Sequence, residues 1–469
     1  MQPALRQAAL GIALVAGMAL AALPASGEEG AAEQSLTLDE ARDVAQGAVL
    51  AGQPALARAI AMRLVEVDPN DARAWLILSA SATAMGDTAE GQRAGSRAWS
   101  AAGRKPEGLP PALRYDIARH TAHAAWQDGR LLAAQMWLRR ATDEAPDQIE
   151  YERTVADFRE VRRQNPTRLA FSLSISPSNN LNGGSSSAWL TIDDWFYVGP
   201  QSGASLALSG VRTVMQARLD HALPADASGQ TVLGLRAFGA YHDLSSEAQA
   251  LAPGLSGKFL NVTLVEGTIM RQTRWPGSDW PVSVTLGLGH VWEAGESAGP
   301  SVRLEAETPL RIRENSWVKT SALTEWNQRP DGNLTSLGLA LEGQWTLPQG
   351  TLSWVAAYRN GDAPDVNRQY SALSGEVSYE PPRPIGDVRL RGSIIAGIKD
   401  YPAYLLGPFG VTDGREDETL GLALDIMPVK FGMMGYVPRL TLNAQATDSN
   451  ISRFETRQIG ISLGIESQF

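Results

Sequence analysis

The pentapeptide GISLG at residues 460–464 has the form G-x-S-x-G, in which serine is the nucleophile of many hydrolases. That chemistry needs the serine on a sharp turn between a strand and a helix. Here apolar side chains alternate with Gly, Ser, Glu and Gln through residues 457–469, which is the pattern of a single strand. Ser462 falls on the polar face of that strand, so we expect no catalysis there.

Two further groups of side chains have the chemistry of metal ligands. His120 and His123 lie three residues apart on a predicted helix, but no third ligand has convincing spacing. A carboxylate cluster consists of Asp413, Glu416, Asp417 and Glu418. It lacks the spacing of an EF-hand calcium loop. We expect packing or surface histidines and a solvated loop, and the sequence predicts no metal, no cofactor and no enzyme activity.

Length, charge and cysteine content limit the number of domains and the classes of partner that the chain can have. A chain of 469 residues is too long for one ordinary core and should divide into at least two units. The formal net charge of -10 disfavours nucleic acid as a partner, because phosphate binding needs clustered Lys and Arg. Cysteine is absent from the chain, which excludes disulfides and thiolate metal sites.

The first 27 residues have the pattern of a cleaved secretory signal. Arg6 precedes an apolar run at 8–23, and small residues follow Pro24 before the first acidic side chains. A retained anchor helix is the alternative. Beyond residue 27 no apolar run approaches the length of a membrane helix, so a membrane form of the mature chain must be a barrel.

Residues 28–161 predict a helical domain with an internal repeat. Its turn markers are Gly52, Gly86, Gly129, Pro69 and Pro146. The first two glycines are separated by about one tetratricopeptide period, and a loop rich in Pro and Gly at 102–111 lengthens the next interval. We therefore predict an all-α, tetratricopeptide-like solenoid of three helical pairs. Its concave face would dock a peptide or protein; a helical spacer without a ligand is the alternative.

From residue 167 to residue 469 the apolar period changes from that of helices to that of strands. Alternating stretches occupy 168–176, 232–243, 258–270, 282–293, 301–313, 336–345, 388–400, 419–427, 438–448 and the tail. Many are long enough to cross a bilayer at a tilt, and one face of each is polar or glycine-rich. The length of the region and the even strand count of such barrels predict a transmembrane antiparallel β-barrel of about 14 strands.

Tryptophans support the barrel over its alternative, a soluble β-sandwich. Several fall near predicted strand ends, where aromatic girdles belong: Trp275, Trp280, Trp317, Trp345 and Trp354. A sandwich would not require so many strands with one apolar and one polar face in a single run.

Motifs at the two ends of the barrel region resemble the surface lipoprotein assembly modifier (Slam) family. The barrel-start motif ISPSNNLN contains Ser176, Asn179, Asn180 and Asn182. The barrel-closing motif contains an Arg-Asp strand entry, a Gly-x-x-Pro turn, an SN loop and a final strand to Phe, which here are Arg415 and Asp417, Gly435 and Pro438, Ser449 and Asn450, and Phe469. The middle strands match in pattern alone.

This resemblance implies a 14-stranded outer-membrane barrel with a periplasmic repeat domain in a Gram-negative cell. Its implied partners are outer-membrane lipids, the barrel assembly machinery, and a secreted client protein or lipoprotein. The terminal Phe469 is similar to the signal that this machinery recognises. The implied function is assistance in translocation or surface display of that client.

Two alternatives remain open at this point. A polysaccharide exporter also joins tetratricopeptide repeats to a barrel, although with many more repeats, and a passive diffusion porin with a periplasmic appendage fits the composition. The polar segment 176–187 is predicted to shape a lumenal plug or the periplasmic mouth; a flexible turn is the alternative.

Overall fold

The computed structural model describes residues 37–104, 111–193, 196–275, 277–278, 280–329, 332–407, 409–411 and 413–467. The predicted signal at 1–27 and the terminal Phe469 lie outside these residues. Within them, seven helices precede a closed antiparallel barrel of fourteen strands. This confirms the predicted fold class. No helix in the described ranges is long and apolar enough to span a membrane.

The helical domain consists of α1 (Leu38–Leu50), α2 (Pro54–Val67), α3 (Ala72–Ala84), α4 (Thr88–Arg104), α5 (Pro111–Gln127), α6 (Leu131–Asp143) and α7 (Gln148–Gln164). Gly52, Gly86 and Gly129 end the first helix of each pair with φ of 71°, 87° and 73°, a conformation that glycine adopts without strain. Pro69 and Pro146 lie in the connections that follow the second helix of the first and third pairs. Each predicted marker thus lies where the chain reverses.

Small side chains bring these helices close together. Ala57, Ala61 and Ala98 have no exposed surface. A Cβ added at Gly95 of α4 would lie 2.1 Å from Oγ1 of Thr121 on α5, so no larger residue fits between these two helices. Trp99 and Trp137 fill the adjacent gap edge to face, with ring centroids 5.7 Å apart. The helices therefore stack as the Ala-rich stripes of the sequence predict.

The strands are β1 (Thr167–Ser178), β2 (Trp189–Ile192), β3 (Phe196–Pro200), β4 (Gly210–Ala222), β5 (Gly229–Leu244), β6 (Val262–Arg274), β7 (Pro281–Glu293), β8 (Glu296–Arg313), β9 (Ser316–Asn327), β10 (Leu334–Leu347), β11 (Gly350–Asp362), β12 (Tyr370–Glu380), β13 (Val388–Tyr401), β14 (Tyr404–Leu406), β15 (Phe409–Val411), β16 (Arg415–Pro428), β17 (Tyr436–Ser449) and β18 (Thr456–Ser467). The pairs β2–β3 and β14–β15 form separate hairpins, and the others form the barrel. A short helix, α8 (Ser246–Leu251), lies between β5 and β6.

Barrel neighbours follow chain order, and β1 pairs with β18 to close the ring. Because β1 begins directly after α7, we call this end of the barrel the proximal end and the opposite end the distal end. The connection at 429–435 lies at the proximal end. The long connections at 179–209, 245–261, 402–414 and 450–455 lie at the distal end.

The outer face of the barrel is apolar. On β18, Ile459, Ile461, Leu463 and Ile465 are exposed by 71%, 49%, 55% and 41%. A continuous surface of exposed Leu and Ile is expected only where lipid replaces water. The five tryptophans predicted for girdles all lie toward the proximal ends of their strands or in the β6–β7 turn. Trp317 alternates with Lys319 on the lumenal side of β9, so the other four form the outward girdle at this rim.

Candidate functional site

The motifs at the two ends of the barrel sequence meet at the distal end. There β1 ends beside the start of β18. Asn179 joins the two strands: its Nδ2 donates to the carbonyl of Arg457 at 3.3 Å, and its Oδ1 accepts from the amide of Ile459 at 3.1 Å. We call the connected loops 179–209, 402–414 and 450–455 the distal cap.

Two asparagines of the barrel-start motif fold the first loop of the distal cap. Asn180, which is 4% exposed, donates to the carbonyl of Gly184 at 2.8 Å and accepts from its amide at 2.9 Å. Asn182 donates to the carbonyl of Leu206 and accepts from the amide of Leu208, both at 2.9 Å. The segment is therefore an ordered part of a mouth. That mouth is the one farther from the helical domain, which corrects the expected position beside that domain.

The remaining motif residue, Ser176, lies on β1 and faces the lumen together with Ser174, whose Oγ lies 3.3 Å from its own. It contributes to the wall of the barrel and not to the distal cap.

Serines tie the first loop to the loop at 450–455. The hydroxyl of Ser185 donates to the carbonyl of Ser452 at 2.5 Å. The Ser452 hydroxyl, itself almost fully buried, donates to the carbonyl of Trp189 at 2.7 Å and accepts from the amide of Thr191 at 2.8 Å. The β2–β3 hairpin is therefore held against the loop that joins β17 to β18.

Arg415 and Asp417, the predicted strand entry, form the centre of the distal cap. The guanidinium donates to both carboxylate oxygens at 2.9 and 2.6 Å, and Asp417 is 7% exposed. The same guanidinium lies 3.2 Å from the ring centroid of Phe454, 4.5 Å from that of Tyr401 and 5.4 Å from that of Tyr404. The carboxylate at 417 is therefore buried and paired, which corrects the expectation of a solvated cluster.

Asn450 of the predicted SN loop connects two of these loops. Its Nδ2 donates to the carbonyl of Gly414 at 3.1 Å, and its Oδ1 accepts from the amide of Glu416 at 2.9 Å. Ser449 ends β17, and its hydroxyl accepts from the amide of Ile451 at 3.3 Å. The SN pair thus shapes the turn that places Phe454 over Arg415.

At the proximal end, α6 is hydrogen-bonded to the β16–β17 connection. Arg139 donates to the carbonyl of Met434 and to the hydroxyl of Ser467, each at 2.9 Å, and lies 4.4 Å from the ring of Tyr436. The amide of Met434, at φ 53°, donates to both carboxylate oxygens of Asp143 at 2.5 and 2.7 Å. Burial raises the pKa of Asp143, and this amide partly opposes the rise. We call Arg139 and Asp143 the clamp.

Gly435 and Pro438 are separated by the structure. Gly435 lies in the connection with φ 68°, as predicted. Pro438, expected in the same turn, lies within β17 opposite Ile465 of β18. Proline is tolerated close to the start of a strand, where few ladder amides are needed.

The lumen is lined by charges in pairs. Glu266 of β6 is 3% exposed; its two carboxylate oxygens accept from Nε and Nη2 of Arg303 at 2.9 and 3.0 Å, and Arg236 lies 3.2 Å away. Lys319 of β9 bridges Glu307 of β8 and Glu342 of β10 at 2.8 and 2.6 Å. Such a lumen offers both signs of charge to a polar chain.

Sequence reasoning missed these lumenal pairs and the clamp. A signal for one of them existed: Glu266 is a lone charge inside the apolar stretch VTLVEGTIM. A buried carboxylate of this kind requires a cationic partner. The partner itself, 37 positions away in the sequence, could not be identified before the strand register was known.

The three sets of residues with potential chemistry do not assemble. Ser462 lies in β18 with its hydroxyl 2.7 Å from that of Ser174 across the lumenal wall. His120 and His123 lie on α5. Within the described residues, no group of three or more His, Asp or Glu side chains has the arrangement of a metal site.

One face of α5 carries titratable groups in an unfavourable environment. Burial raises the pKa of Asp116 to about 6, with Arg119 opposing and Glu150 adding to the shift. Burial and the neighbouring His123 and Arg119 lower the pKa of His120 to about 4. Asp116 is thus ionised at neutral pH at a cost in stability, while His120 stays neutral.

Replacing Asp116 with asparagine should raise the melting temperature of the helical domain at about pH 7.5, by about 4–8 °C per kcal/mol gained, and by only about a third as much at about pH 4.5. The folded pKa lies above the unfolded value, so ionisation opposes folding above pH 6, and the penalty disappears as pH falls toward 4. Helical circular dichroism of the whole protein measures this. The matched control is Asp39→Asn, at an exposed position of α1. A gain in melting temperature of equal size at both pH values for Asp116→Asn would contradict the prediction.

Comparisons with known proteins give no family. No family model matches the chain, and no curated protein matches it. Solved structures similar to the helical part include the type III secretion translocator chaperone SycD of Yersinia enterocolitica. It is 20% identical, covers 28% of this chain and 97% of that chain, and has a TM-score of 0.24.

Structures similar to the barrel include an outer membrane channel from Pseudomonas putida F1, at 11% identity over 63% of this chain and 95% of that chain, with a TM-score of 0.33. A bacterial polysaccharide outer membrane secretin is 12% identical over 64% of this chain and 98% of that chain, with a TM-score of 0.29. Similarities of this size carry no argument about function. The architecture rests on the geometry of the chain itself.

Proposed function

We propose that this chain is an outer-membrane protein that assists the translocation or surface display of client proteins or lipoproteins. The helical domain lies in the periplasm and docks the client, and the barrel is a conduit or anchor with its distal cap outside the cell. Residues 1–27 direct export, and the barrel assembly machinery inserts the chain among outer-membrane lipids. No bond chemistry is required, because folding of the client outside supplies direction.

The clamp is the observation that carries this proposal. Arg139 and Asp143 hold a solenoid of helical repeats at the proximal mouth of a barrel whose lumen carries paired charges. A docking domain tethered at a mouth raises the effective concentration of its ligand there. The arrangement thus supports delivery of a bound client to the barrel.

The alternative is a polysaccharide exporter or a passive diffusion porin, in which the lumen is an open path. The distal cap disfavours it, because Phe454 and Tyr404 pack on Arg415, a side chain that faces the lumen. In planar bilayers we expect the purified protein to be mostly closed. Steady ion or sugar conductance would favour the alternative.

Deleting residues 37–164 in frame, with the barrel kept, should lower surface display of a client encoded by a neighbouring gene by about 10- to 100-fold, since the tethered dock is lost. Antibody labelling of intact cells measures display. The full-length variant Arg63→Ala, altered at an exposed position of α2, is the control and should display normally. Unchanged display by a deletion variant present at normal levels in the outer membrane would refute the docking role.

A further inference from the structure

The junction between β1 and β18 is paired over part of its length. Among the described residues its pairs are Ser174 with Gly464, Ile175 with Leu463 and Ser178 with Gly460. On its other side β1 pairs with β4 continuously, from its first residue to its last. β18 likewise pairs with β17 continuously. The two strands are therefore regular, and the interruption belongs to the junction between them.

Two parts of the junction are unpaired among the described residues: a short gap at Ser176 and Pro177, and a longer stretch at the proximal end. The same register would place Leu173 opposite Ile465, Ser172 opposite Glu466 and Phe171 opposite Ser467, and none of these pairs is formed among the described residues. Phe171 is 51% exposed on the outer face. Main-chain groups left unpaired beside hydrocarbon are costly, so such an edge favours any chain that can complete it.

The sequence of the junction accounts for the short gap at Ser176 and Pro177, and side chains bridge it. Near its distal end, Pro177 has no amide hydrogen to donate, and Gly460 brings no side chain to the contact. Side chains compensate there: Gln458 donates to the hydroxyl of Ser178 at 2.8 Å, and Asn179 binds the main chain of β18.

The clamp acts at the open end. Arg139 of α6 donates to the hydroxyl of Ser467, the residue of β18 that the register sets opposite Phe171. The helical domain thus ties the end of β18 to the β16–β17 connection. The unpaired edge is continuous with the surface that joins the two domains.

We propose that the edge of β1 at Phe171–Leu173 accepts an extended segment of the client, which adds as a strand between β1 and β18. The identity of the occupant as a client rests on the proposed function. Its chemistry follows from the edge: main-chain donors and acceptors complete the ladder. Apolar side chains meet the lipid face beside Phe171 and Ile465, and polar ones meet the lumenal face beside Ser172 and Glu466.

A synthetic peptide with the sequence of Thr456–Ser467 is the probe, because it has the required alternation. Fluorescently labelled, it should bind the full chain in phospholipid vesicles saturably, whereas a scrambled peptide should not. A photoreactive phenylalanine analogue placed at 171 should cross-link to it. Absence of saturable binding would overturn the proposal.

Engineered disulfides make the test specific, since the chain has no cysteine of its own. Oxidation of Leu173→Cys with Ile465→Cys should weaken peptide binding at least about tenfold, and reduction should restore it. The pair Leu440→Cys with Leu463→Cys joins residues that are already partners in β17 and β18, and should have no effect. Should the first pair fold poorly, Ser172→Cys with Glu466→Cys closes the same gap from the lumenal side.

Equal binding to the oxidised and reduced forms would refute the site. So would dimers in which a second copy fills the edge. Because the peptide assay needs no client, its failure is separable from that of the proposed function: display that depends on the helical domain, without peptide binding, would reject the edge alone.

Discussion

Replacing Glu266 with glutamine should lower the free energy of unfolding of the barrel by about 3–5 kcal/mol. The carboxylate is 3% exposed and neutralises Arg303, which is also buried, while Arg236 lies 3.2 Å away. Glutamine keeps the shape but removes the charge. Arg236 then loses its anion, and Arg303 keeps only Glu305, which binds its Nη1, in a wall that cannot hydrate the two guanidinium groups fully.

Urea unfolding in lipid vesicles, followed by tryptophan fluorescence, measures this loss. Glu325→Gln is the matched control, because Glu325 also pairs with an arginine of the lumen, Arg359, but both are more exposed. The Glu325→Gln change should lower the free energy of unfolding by less than about 1 kcal/mol. Losses of equal size in the two variants would show that burial of the pair does not decide its contribution.

Replacing Arg415 with leucine should open the distal cap. The change leaves the carboxylate of Asp417 buried without its partner and removes the surface on which Phe454, Tyr401 and Tyr404 pack. If the closed arrangement of the loops loses about 3 kcal/mol of stabilisation, the equilibrium between closed and open loops shifts about 100-fold toward open. Steady conductance in planar bilayers should rise accordingly, and proteases should cut the loops 402–414 and 450–455 more readily.

The control is Arg453→Leu in the same loop. Arg453 also lies near the ring of Phe454, at 5.7 Å, but its Nη1 is buried without a hydrogen-bond partner among the described residues. Its replacement therefore leaves no carboxylate unpaired and should change conductance little. If both variants conduct alike, the Arg415–Asp417 pair does not hold the cap closed.

The fold could be predicted because two periods dominate the chain. The position of the change near residue 167 and the strand number follow from alternation, length and an even count. Individual strands were harder. Four barrel strands, β4, β9, β11 and β12, lie outside the alternating stretches. In β9 the outward positions Thr320, Ala322 and Thr324 are small or polar and give little contrast with its lumenal side.

The candidate site was predictable in its residues and not in its arrangement. Asn179, Asn182, Arg415 and Asn450 stand out as polar residues of short motifs. Their meeting at one end depends on closure of the ring, which brings β1 and β18 together across the whole barrel sequence. The clamp gave no signal, because Arg139 and Asp143 look like ordinary surface residues of a helix until Met434 is beside them.

The contact between Arg139 and Ser467 spans 328 positions of the sequence. Contacts of such separation form late, since the intervening chain must first be ordered. The helical domain is synthesised before any strand, yet its docking surface exists only once β16, β17 and β18 have paired. Docking of the repeats therefore reports that the last three strands of the barrel have paired, and a chain that lacks this pairing leaves its helical domain without the clamp.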